Sequence, residues 1–232
     1  MHPYKISVLG ESYLFFSLPF GREVSEYARV GERCVFLLPS ASADFRVFGY
    51  EKNGKPLYDY YAAAVCAAAH LTIECGLPLS EFSFETPKGI LKIIYTGNGY
   101  FNFGIDKCKL LLSNHIEICG CTPDAFEVDT GGIFRVVPFA FDEGVGEALL
   151  SRIAGAAFPL PQAVILSTLY ENTLSIKTYA DYNPTPPSSL LCFVAAAFAV
   201  GRVGAKKVLG KDLIARVGFS SVEISLKPIL YD

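Results

Sequence analysis

Two alanine-rich segments, residues 60–71 and 190–200, most restrict what this chain can fold into. The first reads Tyr60-Tyr61-Ala62-Ala63-Ala64-Val65-Cys66-Ala67-Ala68-Ala69-His70-Leu71 and is closed by Cys75-Gly76-Leu77-Pro78. Alanine is the strongest helix former, while glycine and proline end helices, so this spacing predicts a helix. The second begins near Pro187-Ser188-Ser189, with proline in the first turn and serine at the cap. Each apolar run is only about half of the ~20 residues that a membrane-spanning helix needs. Both are therefore expected as helices of a folded body.

The rest of the chain reads as strands. In the first half, Lys5 to Leu9 and Tyr13 to Phe16 flank Gly10-Glu11-Ser12. Arg33 to Leu38 precedes a turn at Pro39-Ser40, and Asp44 to Tyr50 precedes the turn Lys52-Asn53-Gly54-Lys55. After the helix, Ile90 to Tyr95 and Tyr100 to Phe103 are joined by Thr96-Gly97-Asn98-Gly99, a strong hairpin signal. In the second half, strands are expected at 116–119, 133–139, 163–169 and 173–179, with a short helix at 146–156. The pattern is thus two β-rich halves, each with one alanine-rich helix, which points to a duplication. The fold class expected is α+β, two pseudo-symmetric β-rich lobes each wrapped around a central helix. The boundaries expected are 1–114 and 115–232, with the last few residues returning to the first lobe.

Composition limits the function classes. Of 232 residues, 51% are hydrophobic and 19% charged, as in an ordered, densely packed protein. The net charge of -3 and the lack of a basic run argue against nucleic acid and acidic membrane surfaces as partners. The opening Met1-His2-Pro3-Tyr4-Lys5 leads into a strand without the apolar core of a signal peptide, so a cytoplasmic location is expected. Seven cysteines, at 34, 66, 75, 108, 119, 121 and 192, are odd in number and mostly set among apolar residues, which reads as reduced thiols. His115, Cys119 and Cys121 approach a metal pattern but lack a second ligand pair, so no metal is expected.

Several local strings resemble the diaminopimelate epimerase family. Leu9-Gly10-Glu11-Ser12-Tyr13-Leu14 sits where that family has strand, Gly-Asn-Asp, strand. Arg29 to Cys34 falls on its Gly-x-Gly-Ala-Asp-Gly segment and keeps one glycine. Asp44-Phe45-Arg46-Val47-Phe48, followed by Lys52-Asn53-Gly54-Lys55, matches a characteristic strand and turn. Val65 to Leu71 aligns with the first central helix and Ala195 to Gly201 with the second. Gly131-Gly132-Ile133-Phe134 occupies the Gly-Asn-Pro-His motif, and Ser175 to Asp181 resembles the strand ending in Tyr-Glu-Arg-Gly. The likeness spans nearly the whole chain and lies more in pattern than in motif identity.

The resemblance implies a cofactor-free chemistry that this chain is not equipped to run. The family removes and returns an α-proton with two cysteines, each at a helix N-terminus where the dipole favours the thiolate. Those positions fall here on Tyr60 and Ser189. Tyrosine titrates near 10, and serine is a poor base or nucleophile without a partner. The glycine-rich strings that close around the substrate carboxylate become Tyr61-Ala62-Ala63 and Leu190-Leu191-Cys192. The family's histidine falls on Phe134, its glutamate and arginine on Ala180 and Asp181, and its asparagine on Glu11.

Two readings follow. One is a catalytically degenerate protein with a binding or structural role, whose interlobe cleft, lined by Glu11, Tyr60, Tyr61, Phe134, Asp181 and Ser189, takes a small molecule. The other is an isomerase or epimerase of a small amino or hydroxy acid with a rebuilt acid/base pair, for which Asp59 and Asp181 are the candidates. Phenazine-biosynthesis isomerases share the family fold and dispense with the cysteine pair, so such rebuilding is chemically feasible. Against it, Asp59 and Ser189 stand where Asp and Ser commonly cap helices. Cys66 and Cys192 read as small core residues of their helices, and His70 as packed or at the surface. The resemblance further implies no cofactor, and, since members of the family often form dimers, a homodimer as one assembly open to the chain.

Overall fold

The computed structural model describes residues 4–17, 31–57, 59–115, 124–138, 163–179, 189–210 and 212–231. The chain divides into two compact units, Met1–Phe103 with Ser225–Asp232, and Gly104–Ile224. Among the described residues the architecture is mostly β-sheet with two α-helices.

In the first unit, β1 (Tyr4–Val8) and β2 (Glu11–Ser17) form an antiparallel hairpin. Its tip is Leu9-Gly10, both with positive φ, so Glu11 opens the strand and does not belong to a longer turn. β3 (Arg33–Leu38) runs parallel to β2, and β4 (Phe45–Tyr50) antiparallel to β3. The helix α1 (Tyr60–Ala69) then leads to β5 (Glu81–Thr86), which returns parallel to β4. β6 (Gly89–Gly97) and β7 (Tyr100–Asp106) follow as antiparallel neighbours. Their tip, Asn98-Gly99, has positive φ at both residues, as the sequence signal implies. The last strand, β16 (Ile229–Tyr231), pairs with β1, so the strand order is β16-β1-β2-β3-β4-β5-β6-β7.

In the second unit, β8 (Lys109–His115), β9 (Asp124–Asp129) and β10 (Ile133–Pro138) are successive antiparallel neighbours. β11 (Ala163–Tyr170) is parallel to β10, and β12 (Thr173–Tyr179) antiparallel to β11. The helix α2 (Ser189–Arg202) precedes β13 (Lys207–Gly210), parallel to β12, then β14 (Leu213–Val217) and β15 (Ser221–Leu226). The first unit's order of pairings over β1–β6 is therefore repeated over β9–β14: antiparallel, parallel, antiparallel, helix, parallel, antiparallel. That is the duplicated plan anticipated from the sequence, now visible in the hydrogen-bonding.

Both helices are buried almost all round. Every residue of α1 except Tyr61 is buried, and the helix packs against β1 to β6. In α2 the buried run is Leu190 to Val200, and it packs against β9 to β12 and β14. Alanine is what allows this, because its short side chain lets strands approach the helix axis on every side.

Several expectations need correction. The first helix does not continue uniformly to Leu71; from His70 to Glu74 it widens into a π-helical turn. β5, β8 and β9, and all four strands after α2, are absent from the sequence reading, because their alternation is short and broken by charged residues. The strand expected at 116–119 and the helix at 146–156 lie outside the described residues. No helix among the described residues is long and apolar enough to cross a membrane.

Candidate functional site

The N-terminus of α1 is where the sequence puts the first lost thiol, and its geometry is fully defined. Asp59 precedes the helix in extended conformation (φ -96°, ψ 94°) and is the N-cap. Its Oδ1 accepts the backbone N–H of Tyr61 at 2.9 Å and of Ala62 at 3.1 Å. A helix N-terminus presents unpaired N–H groups that attract an anion. Here the chain supplies that anion itself, from a residue only 1% exposed. Asp59 thus does the work of a cap, one of the two roles open to it in the sequence.

Tyr60 begins the helix and is buried. Burial pushes its phenol above the usual tyrosine range, with Tyr50 and Glu51 adding to the shift, so it is a neutral hydroxyl at ordinary pH. Tyr61 stacks on Phe103, ring centroids 5.5 Å apart. One turn further on, Cys66 is fully buried, and its thiol is pushed well up, first by burial and then by the charge of Asp59. It is a small core residue with no thiolate character.

Glu11 lies in a network the sequence did not announce. Arg33 Nη1 meets Glu11 Oε2 at 3.0 Å, and Arg33 Nε donates to Glu51 Oε2 at 2.8 Å. The Tyr13 hydroxyl donates to the same Glu11 oxygen at 3.1 Å, and its ring lies 5.8 Å from the guanidinium. These charges stand at strand ends: Glu11 opens β2, Arg33 opens β3, and Glu51 follows β4. Charges placed where apolar runs begin or end mark these residues as strand-end groups, but do not say which of them meet. Glu11 and Arg33 also line a pocket of about 340 Å³ together with Lys5, Ser12, Glu32 and Lys52.

In the second unit, Phe134 is fully buried inside β10, paired to β9 and β11. It is an aromatic of the buried core. Ser189 is the first residue of α2 and half-buried; Leu190, Leu191 and Cys192 behind it are buried. Asp181 and Ala180 lie outside the described residues, as do Cys119 and Cys121. His115 is bonded to Asp124, its Nδ1 2.8 Å from the carboxylate. Among the described residues no cluster of histidine, cysteine or carboxylate could hold a metal ion.

His70 is packed, one of the two placements the sequence leaves open to it, with its ring 4.6 Å from Tyr4 and 4.7 Å from Phe15. Its Nε2 is 3.4 Å from the Cys75 sulfur. Burial lowers its pKa, only partly offset by Glu74.

No protein-family model matches the sequence, and no curated protein does. Solved structures do match. A phenazine-biosynthesis protein of the PhzF family from Enterococcus faecalis superposes with a TM-score of 0.69 at 13% identity, covering 99% of this chain and 96% of that one. One from Bacillus anthracis gives 0.64 at 14% identity, over 100% and 96%. A hydroxyproline epimerase from Agrobacterium vitis, solved with bound trans-4-hydroxy-L-proline, gives 0.61 at 13% identity, over 99% and 90%. This chain has an isomerase/epimerase-like fold. The likeness extends over the full length, and it takes in the wider group of PhzF and proline-epimerase structures, not diaminopimelate epimerase in particular. At such low identity it establishes the fold alone.

Proposed function

We propose that this protein is a catalytically degenerate member of the epimerase-like fold, with a binding or structural role in place of proton transfer. The observation that carries the reading is the Asp59 cap. The amides of Tyr61 and Ala62, which stand at the start of the helix where the resemblance puts a substrate carboxylate, are already bonded to the chain's own carboxylate. An incoming carboxylate would have to displace Asp59 and leave a buried charge without its partners, a cost of several kcal/mol. Tyr60 and Ser189, in place of the two thiols, support the same conclusion, since neither group supplies a base near neutral pH.

The test is α-proton exchange in D2O, followed by NMR, against a panel of amino and hydroxy acids. The expected result is no deuterium incorporation above the protein-free control. Incorporation that vanishes in Asp181→Asn or Asp59→Asn, with the variants folded by circular dichroism, would overturn the proposal and establish a rebuilt acid/base pair.

A further inference from the structure

The far end of α1 brings a thiol and an imidazole together. In an α-helix, residues five apart lie about 140° apart around the axis, on different faces. The turn from His70 to Glu74 is π-helical, and the Cys75 N–H closes it on the His70 carbonyl at 3.0 Å. Each residue of this wider turn advances the chain less around the axis. Cys75 therefore returns over His70, and its sulfur lies 3.4 Å from His70 Nε2. Gly76 then leaves the helix with φ +63°, and the Leu77 N–H bonds the Leu71 carbonyl at 3.0 Å. The two partners differ in exposure. His70 is only 4% exposed, whereas Cys75 is the one exposed thiol among the described cysteines.

The surroundings of His70 decide which of its nitrogens carries the proton. The ring packs against Tyr4 and Phe15, and its buried Nδ1 has no hydrogen-bond partner among the described residues. A buried N–H without an acceptor is rarer in proteins than a bare lone pair, so the proton belongs on Nε2, where the sulfur accepts it. Burial lowers the pKa of the ring, only partly offset by Glu74, so the imidazole is neutral near pH 7. His70 is thus a fixed, neutral donor aimed at an exposed sulfur.

The thiolate is the form that attacks a disulfide, and a hydrogen-bond donor on the sulfur favours negative charge there. We propose that Cys75 is a site of thiol–disulfide exchange with small disulfides, and that His70 is its positioning residue. The thiol proton leaves to water, and the Cys75 sulfur attacks one sulfur of the disulfide. A new S–S bond forms to Cys75, the old one breaks, and the departing thiolate takes up a proton from water. The disulfide is itself the oxidant, so no other is needed. Glu74, exposed and next to Cys75 in the chain, is the charge that acts on His70, and it disfavours an anionic disulfide. The site lies at the opposite end of α1 from Asp59, and so stands apart from the question of proton transfer.

The test incubates the full chain at pH 7 with 2-hydroxyethyl disulfide, a neutral probe, and follows adduct formation on the Cys75 peptide by mass spectrometry. Wild type is expected to form the mixed disulfide at Cys75 and to lose it on adding dithiothreitol. His70→Phe keeps a packed ring and removes the donor. It should slow the exchange about threefold, since an about tenfold smaller thiolate fraction is partly offset by greater nucleophilicity. His70→Gln sacrifices the ring but returns an N–H near the place of Nε2, and should recover most of the loss. A purely structural role would order the two variants the other way, because glutamine gives up the aromatic packing. Circular dichroism checks that both are folded. The proposal is overturned by absence of adduct at Cys75 in the native chain, by equal rates in wild type and His70→Phe, or by a His70→Gln protein as slow as His70→Phe.

Discussion

The carboxylate of Asp59 and the backbone N–H of Tyr61 are 2.9 Å apart, and the same oxygen reaches Ala62 at 3.1 Å. This bond ties the last residue before α1 to the first turn of a helix that is the core of its unit. Removing a cap of this kind costs about 1 kcal/mol, up to about 2. Asp59→Ala should therefore lower unfolding stability by at least that much in urea denaturation. Asp59→Asn, which keeps an acceptor oxygen, should recover most of the loss. If the alanine and asparagine variants unfold at the same urea concentration as wild type, the cap is not what holds the start of α1.

Arg33 joins three strand ends through Glu11 and Glu51, and its side chain is largely buried. Burial disfavours its charge, but the two carboxylates outweigh that and hold it firmly protonated. Removing Arg33 leaves both mostly buried glutamates without their shared cation, which costs about 3 kcal/mol. Arg33→Met should be destabilised by that order, while Arg33→Met/Glu51→Leu, which leaves only Glu11 without its cation, should recover part of it. Chemical denaturation of the two variants gives the comparison. Additive losses would mean that the pair is not energetically coupled.

The sequence discloses the helices, the Asn98-Gly99 hairpin and the doubled plan because each rests on local chemistry: alanine runs, positive-φ turn residues and short-range alternation. It also offers the cap as one of two roles for Asp59, since Asp before a helix is itself a local signal. The Arg33 network is of another kind. Glu11, Arg33 and Glu51 are up to forty residues apart and meet only because β2, β3 and β4 are neighbours, so no window of sequence contains the relationship. Phe134, which the motif alignment puts in a ligand cleft, is a fully buried residue of β10, and its burial follows from the largely apolar run Ile133 to Val137, a local signal the alignment did not use.

Thiol chemistry offers a direct check on the packing of both units. Cys34, Cys66, Cys108 and Cys192 are buried, while Cys75 is exposed. Burial pushes the Cys66 thiol far up and that of Cys108 to about 11, so neither yields thiolate at neutral pH. Native protein treated briefly with iodoacetamide at pH 8 should carry label at Cys75 and none at the other four; full unfolding should expose all of them. Peptide mapping by mass spectrometry reads the sites. Label on Cys66 or Cys192 in native protein would contradict the closed packing around the two helices.

His70 couples the end of α1 to β1 and β2 through its contacts with Tyr4 and Phe15. Its pKa in the folded protein is lowered from the ordinary 6.5, mainly by burial. A group with a depressed folded pKa that is neutral above it binds more protons when unfolded. Its contribution to stability is thus complete above pH about 6.5 and is lost as pH falls toward the folded value. Asp44 and Glu85 titrate in a separate, more acidic window. Ser83 lowers the first, Ser40 and then Ser42 the second, so their stabilisation disappears only below pH about 4. Melting temperature should accordingly fall in two steps, one beginning as pH drops below about 6.5 and another below about 4. His70→Phe preserves an aromatic ring between Tyr4 and Phe15 and should abolish the first step alone. Asp44→Asn/Glu85→Gln should blunt the second. A His70→Phe protein whose melting temperature still drops by the wild-type amount in the first step would show that another group carries that step.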